Sequence, residues 1–131
     1  MRRINIGFVA VLSLALGPAM SLAHHSFAAV FDAESPIELT GTVTSVEWMN
    51  PHAWFYMDVE NDTGEVENWA LEMGSPNHLR RRGWNRNSLQ VGDVITVAGS
   101  RARDGSTKGA VRTVTLDATG ESLFGGQDES R

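Results

Sequence analysis

Several runs of this chain alternate apolar and polar residues with a period of two, the signature of strands buried on one face. In residues 37–48 (IELTGTVTSVEW), Ile37, Leu39 and Val43 alternate with Glu38, Thr40, Thr42 and Thr44. The phase then flips, and Val46 and Trp48 become the apolar positions. Together with Gly41, the flip predicts one long strand that bends at a bulge. Residues 49–51 (MNP) break it. A second strand over 52–60 (HAWFYMDVE) places Ala53, Phe55, Met57 and Val59 on one face and His52, Trp54, Tyr56 and Asp58 on the other. The turn at 61–64 (NDTG) leads directly into a third strand over 65–73 (EVENWALEM), which predicts a hairpin.

The texture changes at 74–77 (GSPN). Ser75 is an N-cap, Pro76 suits the first helical position and Gly83 is a stop signal, so a helix of about two turns fits between them. A turn at 89–93 (LQVGD) enters a fourth strand over 93–102, and residues 103–109 connect to a fifth over 110–116 (AVRTVTL). The tail, 118–131, is polar and Gly-rich and is expected to fray except near Leu123 and Phe124. Three strands, a short helix and two strands predict an all-β fold: a five-stranded OB-like Greek-key barrel over 37–117, with the helix between strands 3 and 4. A small β-sandwich is the alternative.

The N-terminus has the three parts of a secretory signal peptide. Arg2 and Arg3 supply positive charge, residues 6–16 (IGFVAVLSLAL) an apolar run too short to span a bilayer, and Ser21 and Ala23 the small −3 and −1 positions. The twin arginines raise a folded-export route, but RRINIG lacks the rest of that pattern, so general secretion is expected. A cut after Ala23 defines a leader over 1–23 and an N-terminal arm over 24–36. Removing 23 of 131 residues leaves 108, enough for one small domain. It also takes basic residues from 11 to 9 against 16 acidic ones, moving the net charge from −5 to −7. That charge disfavours nucleic acid and anionic lipid as partners. With no membrane anchor visible after the leader, the expected product is periplasmic or secreted. The absence of cysteine excludes disulfides, thiolate metal sites and thiol catalysis.

The segments HHSF at the expected mature start, ELTGTV, VEWMNPHAWFYMDV, VENWALEMGSPN, RRGW and LQVGDVITVAGSRARDGS together resemble a family of small exported bacterial proteins, a domain of unknown function. The resemblance covers nearly all of the expected mature chain. It implies a periplasmic or secreted all-β domain, and it carries no activity.

Three groups of residues are candidates for chemistry. The first is the histidine set. A cut after Ala23 makes His24 the N-terminal residue, able to chelate a metal through its α-amino nitrogen and its ring. One more imidazole completes a histidine brace, an arrangement that suits Cu(II). His52, at a strand start, is the preferred third ligand, and His25 is a further candidate. The α-amine, with a reference pKa of about 7.7–8.0, must lose its proton to bind, so copper affinity should rise from mildly acid to neutral pH. The plain alternative is a pair of solvated histidines on a tether and a hydrogen-bonded strand histidine. Met49, Met57 and Met73 offer soft ligands for Cu(I), although strand spacing assigns Met57 and Met73 to the core.

The second group is aromatic. Trp54 and Tyr56 share the polar face of strand 2 with Asp58, and such a face can hold a protein partner or a small ligand such as a sugar. Alternatively, the arm covers these rings with Phe27, Val30 and Phe31. The third is the cluster Arg80, Arg81, Arg82 and Arg86 around Trp84, suited to a carboxylate or phosphate. Ion pairing with Glu65, Glu67 or Glu72 is the expected default. No nucleophile elbow is present, and nothing places the strand carboxylates around a substrate. A catalytic role is expected only through a metal, and a copper mono-oxygenase would want a larger scaffold.

Overall fold

The computed structural model describes residues 27–127. A helical turn, α1, covers residues 27–30. It is followed by β1 (Phe31–Glu47), β2 (Trp54–Glu60), β3 (Val66–Glu72), α2 (Pro76–Arg81), β4 (Val94–Ala102), β5 (Lys108–Leu116) and β6 (Ser122–Phe124). The fold is mostly β, and the strands form one sheet in the order β3-β2-β1-β4-β5-β6. Neighbours in that order run antiparallel. In addition, β3 pairs in parallel with β5 through Ala70↔Lys108, Leu71↔Gly109 and Glu72↔Ala110. No helix among the described residues is long and apolar enough to cross a membrane.

The phase flip in the first apolar run is a β-bulge. The β1–β2 register shifts between Val43 and Ser45, so Val43 and Val46 can both turn toward the core. Gly41 permits the close approach of these strands, since a Cβ there would run into the Asp58 carbonyl. On β2 the alternation holds as expected: Ala53, Phe55, Met57 and Val59 are buried. They join Val43, Trp69, Leu71, Met73, Leu79, Trp84, Leu89, Ile95, Val97, Val111 and Val114 in one core. Each Leu, Met or Phe so buried contributes about 1.5–3 kcal/mol, which must suffice in a chain without cysteine. Met57 and Met73 are thus core side chains, while Met49 is exposed.

The helix forms where its signals lie. The Ser75 side chain accepts from the His78 backbone N–H at 3.3 Å, Pro76 begins the first turn, and Gly83 ends it with φ +93°. The following Trp84 is buried, and its indole N–H donates to the Phe124 carbonyl at 2.9 Å.

Two expectations are corrected. Six strands form rather than five, because the stretch around Leu123 and Phe124, expected to be the ordered part of the tail but not a strand, supplies β6, which pairs with β5 through Thr113↔Phe124, Val114↔Leu123 and Thr115↔Ser122. Leu123 packs on the core and Trp84 anchors Phe124. That anchor lies some 40 residues away, and local composition does not reveal it. In addition, β1 starts at Phe31 rather than 37. Phe31 pairs with Ala102, and a register shift between Asp32 and Pro36 absorbs the polar residues between them. Backbone pairing along an exposed stretch needs no alternating pattern.

Candidate functional site

The β2–β3 ladder continues past the strand ends. Ala53 donates to the Gly74 carbonyl at 3.0 Å and accepts from the Met73 N–H at 2.8 Å. His52, one residue earlier, therefore sits at the open end of this hairpin. Glu72 is the register partner of Trp54, on the face of β3 turned away from Leu71 and the core. Such a position should be wet, yet Glu72 is only 9% exposed. The N-terminal arm explains the burial. Phe27 and Phe31 lie with ring centroids 5.4 Å apart and pack with Ala102 and Ala110. Ala110 is the β5 partner of Glu72, so the arm lies over this outer face. The chain after β6 closes another side: Gly125 donates to the Arg112 carbonyl and accepts from Gly74, bringing Gln127 to Glu72.

Four separate segments thus line one pocket of about 210 Å³: Phe27, Val30 and Phe31 from the arm, His52 before β2, Glu72 ending β3, and Gln127 beyond β6. The pocket has an apolar wall and a polar wall. On the polar wall His52 Nδ1 lies 2.5 Å from Glu72 Oε1, and Gln127 Nε2 donates to the same oxygen at 2.9 Å. With Nδ1 directed at a carboxylate, the Nε2 atom of His52 is the one left for a ligand. Carboxylates hold metal-binding imidazoles in this manner.

Among the described residues, no three potential metal-ligating His, Cys, Asp or Glu side chains come together. His24 and His25 lie outside the described residues. His52 is half-buried at the pocket; His78 is on α2, with its ring packed by Gly74 and its Nε2 buried without a hydrogen-bond partner.

The aromatic candidates face outward. Trp54 and Tyr56 are half-buried, and the Lys108 ammonium sits 5.3 Å from the Trp54 ring centroid. Asp58 accepts from Asn68 Nδ2 at 2.8 Å. The arm's phenylalanines pack with residues of β4 and β5 rather than serving as a cover specific to β2. Arg80, Arg81, Arg82 and Arg86 are exposed, and none lines the pocket. Arg80 reaches Asn77 at 3.4 Å, and the Arg82 guanidinium lies 4.3 Å over the Phe124 ring. Glu72, expected as a counterion for this cluster, is instead bound to His52 and Gln127. The reason is its register: it ends β3 on the face that the arm covers.

Sequence reasoning did not select Glu72 and Gln127 as members of a polar site. For Glu72 a signal existed, since a hairpin pairing Glu60 with Val66 also sets Trp54, two residues after His52, against Glu72. For Gln127 there was none, because its position depends on contacts far apart in sequence.

Among curated proteins none matches the chain. The profile of DUF6152, a family of unknown function, matches residues 10–112, most of the sequence, and the protein belongs to that family.

Proposed function

We propose that the mature protein is a small periplasmic or secreted domain that binds copper(II) through His24, as its N-terminal residue, and His52. The observation that carries this reading is the His52–Glu72 pair at the edge of a pocket whose rim includes Phe27. Phe27 follows His24 by three residues, which span at most about 10–11 Å of chain. A terminus at His24 would therefore be no farther than that along the chain from Phe27, which lines the same pocket as His52. His24 would contribute its amine and ring, His52 its Nε2, and Glu72 the orientation of His52. His25, adjacent to His24, is a secondary candidate. We also read the sheet as an OB-like Greek-key barrel with β6 added. The parallel β3–β5 pairing joins the two ends of the order β3-β2-β1-β4-β5, and α2 lies between β3 and β4.

The test is to export the full chain, establish its first residue by intact mass, and titrate it with Cu(II). A chain starting at His24 should bind one equivalent with nitrogen hyperfine structure in its electron paramagnetic resonance spectrum. Equal binding by His24→Ala or by His52→Ala overturns the reading.

A second reading is favoured by the outward, half-buried Trp54 and Tyr56. In it the β2 face, including Asp58, holds a protein partner or small ligand without metal. Trp54→Ala should then abolish capture by the exported protein while its melting temperature is retained. Undiminished capture removes this reading.

A further inference from the structure

Two surfaces of opposite charge lie outside the pocket, one on α2 and the turns after it, the other at the tip of the β2–β3 hairpin. Residues 73–92 contain Arg80, Arg81, Arg82 and Arg86 and no aspartate or glutamate. All four arginines are exposed. Arg80 bonds to Asn77, and Arg82 lies over the Phe124 ring. Among the described residues, Arg80, Arg81 and Arg86 have no carboxylate at ion-pair distance. Residues 58–67 are the converse. They hold Asp58, Glu60, Asp62, Glu65 and Glu67 and no basic residue. All but the half-buried Glu67 are exposed, and none of the five pairs with a cation among the described residues.

Within one molecule these surfaces do not neutralise each other. The acidic tip lies where β3 begins, at Val66, and α2 follows where β3 ends, at Glu72. The strand between them is roughly 20 Å long at about 3.3 Å per residue. That exceeds the screening length of about 10 Å in 0.1 M salt, so each surface keeps its charge for another partner. We infer that the protein self-associates, with the arginine surface of one copy seated on the hairpin tip of a second copy. The chain itself carries the complement that each surface lacks, four guanidinium groups against five carboxylates. The planar fork of arginine suits carboxylates in paired hydrogen bonds. Val66, 65% exposed and cross-strand from Glu60, gives the acidic tip an apolar centre that such a contact would shield. The overall charge of −5 on the full sequence repels copies at a distance, but salt screens that repulsion over the same 10 Å or so. At contact the opposed surfaces prevail. The association is independent of the copper reading, since none of these residues lines the pocket.

Sedimentation velocity of the exported protein tests this, with a chelator present so that no metal bridges two copies. In about 0.1 M salt the sedimentation coefficient should rise with protein concentration up to the submillimolar range. The rise should disappear in about 1 M salt, where the screening length falls to about 3 Å. Arg80→Glu with Arg81→Glu reverses the basic surface, and Asp62→Lys with Glu65→Lys reverses the acidic one. Each double variant should weaken association about tenfold or more, because like charges then face each other. Mixing the two variants should restore it, since the reversed surfaces complement one another. Such recovery also separates a lost contact from a lost fold. A variant whose circular dichroism departs from wild type is replaced by Arg86→Glu on the basic side or Glu60→Lys on the acidic side. A wild-type protein that stays monomeric in 0.1 M salt overturns the inference. So does association indifferent to salt, or a pair of folded variants that remain monomeric when mixed.

Discussion

His52 and His78 lie on either side of Gly74, yet they occupy different chemical worlds. His52 sits at the end of a hairpin whose ladder includes Gly74, and it meets a buried carboxylate at a pocket. His78 lies in a short helix capped by Ser75, with its ring against Gly74 and its Nε2 enclosed and unpartnered. One imidazole is oriented by an acid and open to a ligand; the other fills space between a helix and the strand ends. The difference is set by what lies across from each residue. An oriented histidine requires its partner's register as much as its own position.

The comparison can be broken most forcefully from the His78 side. Trp84→Ala should cost about 3–5 kcal/mol in denaturant unfolding, the range for deleting a large buried ring. It also removes the bond to the Phe124 carbonyl that holds the segment leading to Gln127. Next comes the direct contrast between the histidines. His52→Ala should weaken Cu(II) by more than the roughly 10–100-fold typical of losing an outer partner, whereas His78→Ala should leave copper affinity unchanged. Isothermal titration on both variants checks this, and an equal loss would erase the distinction. Glu72→Gln keeps the shape of the pocket but weakens the hold on His52. Copper affinity should fall about 10–100-fold with the sheet intact by circular dichroism.

Smaller effects test the scaffolding. Ser75→Ala removes the cap that accepts from His78 and should cost about 1 kcal/mol without changing copper binding. Asp104 is the surface counterpart of Glu72. Bonds from the Ser106 hydroxyl and backbone N–H, with the Lys108 charge, hold its carboxyl below the ordinary carboxylate range. Its small contribution is present above the unfolded carboxylate pKa and is lost as pH falls through its lower folded value. Asp104→Asn should therefore melt slightly lower than wild type at neutral pH, with the gap closing in strong acid.

Much of the scaffold was legible. The inward set on β2, the bulge in β1 and the Ser75-Pro76…Gly83 frame of α2 each follow from local rules: side-chain alternation, phase and capping. Strand β6 and the start of β1 were not, since polar, Gly-rich or Pro-containing stretches pair through backbone bonds that leave no apolar rhythm. Of the site, His52 could be selected by residue type and position. In the sequence Glu72 is one of three acidic residues, with Glu65 and Glu67, open to ion pairing with the arginines, because its charge is visible there and its burial is not. Phe27, Val30 and Phe31 were read as a cover for Trp54 and Tyr56, whereas the two phenylalanines pack with Ala102 and Ala110.

Where strands and helix could form, and which side of β2 would be dry, follow from neighbours within a few residues along the chain. That His52, Glu72, Gln127 and the arm share one pocket depends instead on the packing of segments far apart in the chain. The parallel β3–β5 pairing brings Ala110 beside Glu72, and the arm packs there because Phe27 and Phe31 find small residues to cover. Burial of that carboxylate is therefore a property of four segments at once, which no single stretch of the chain encodes.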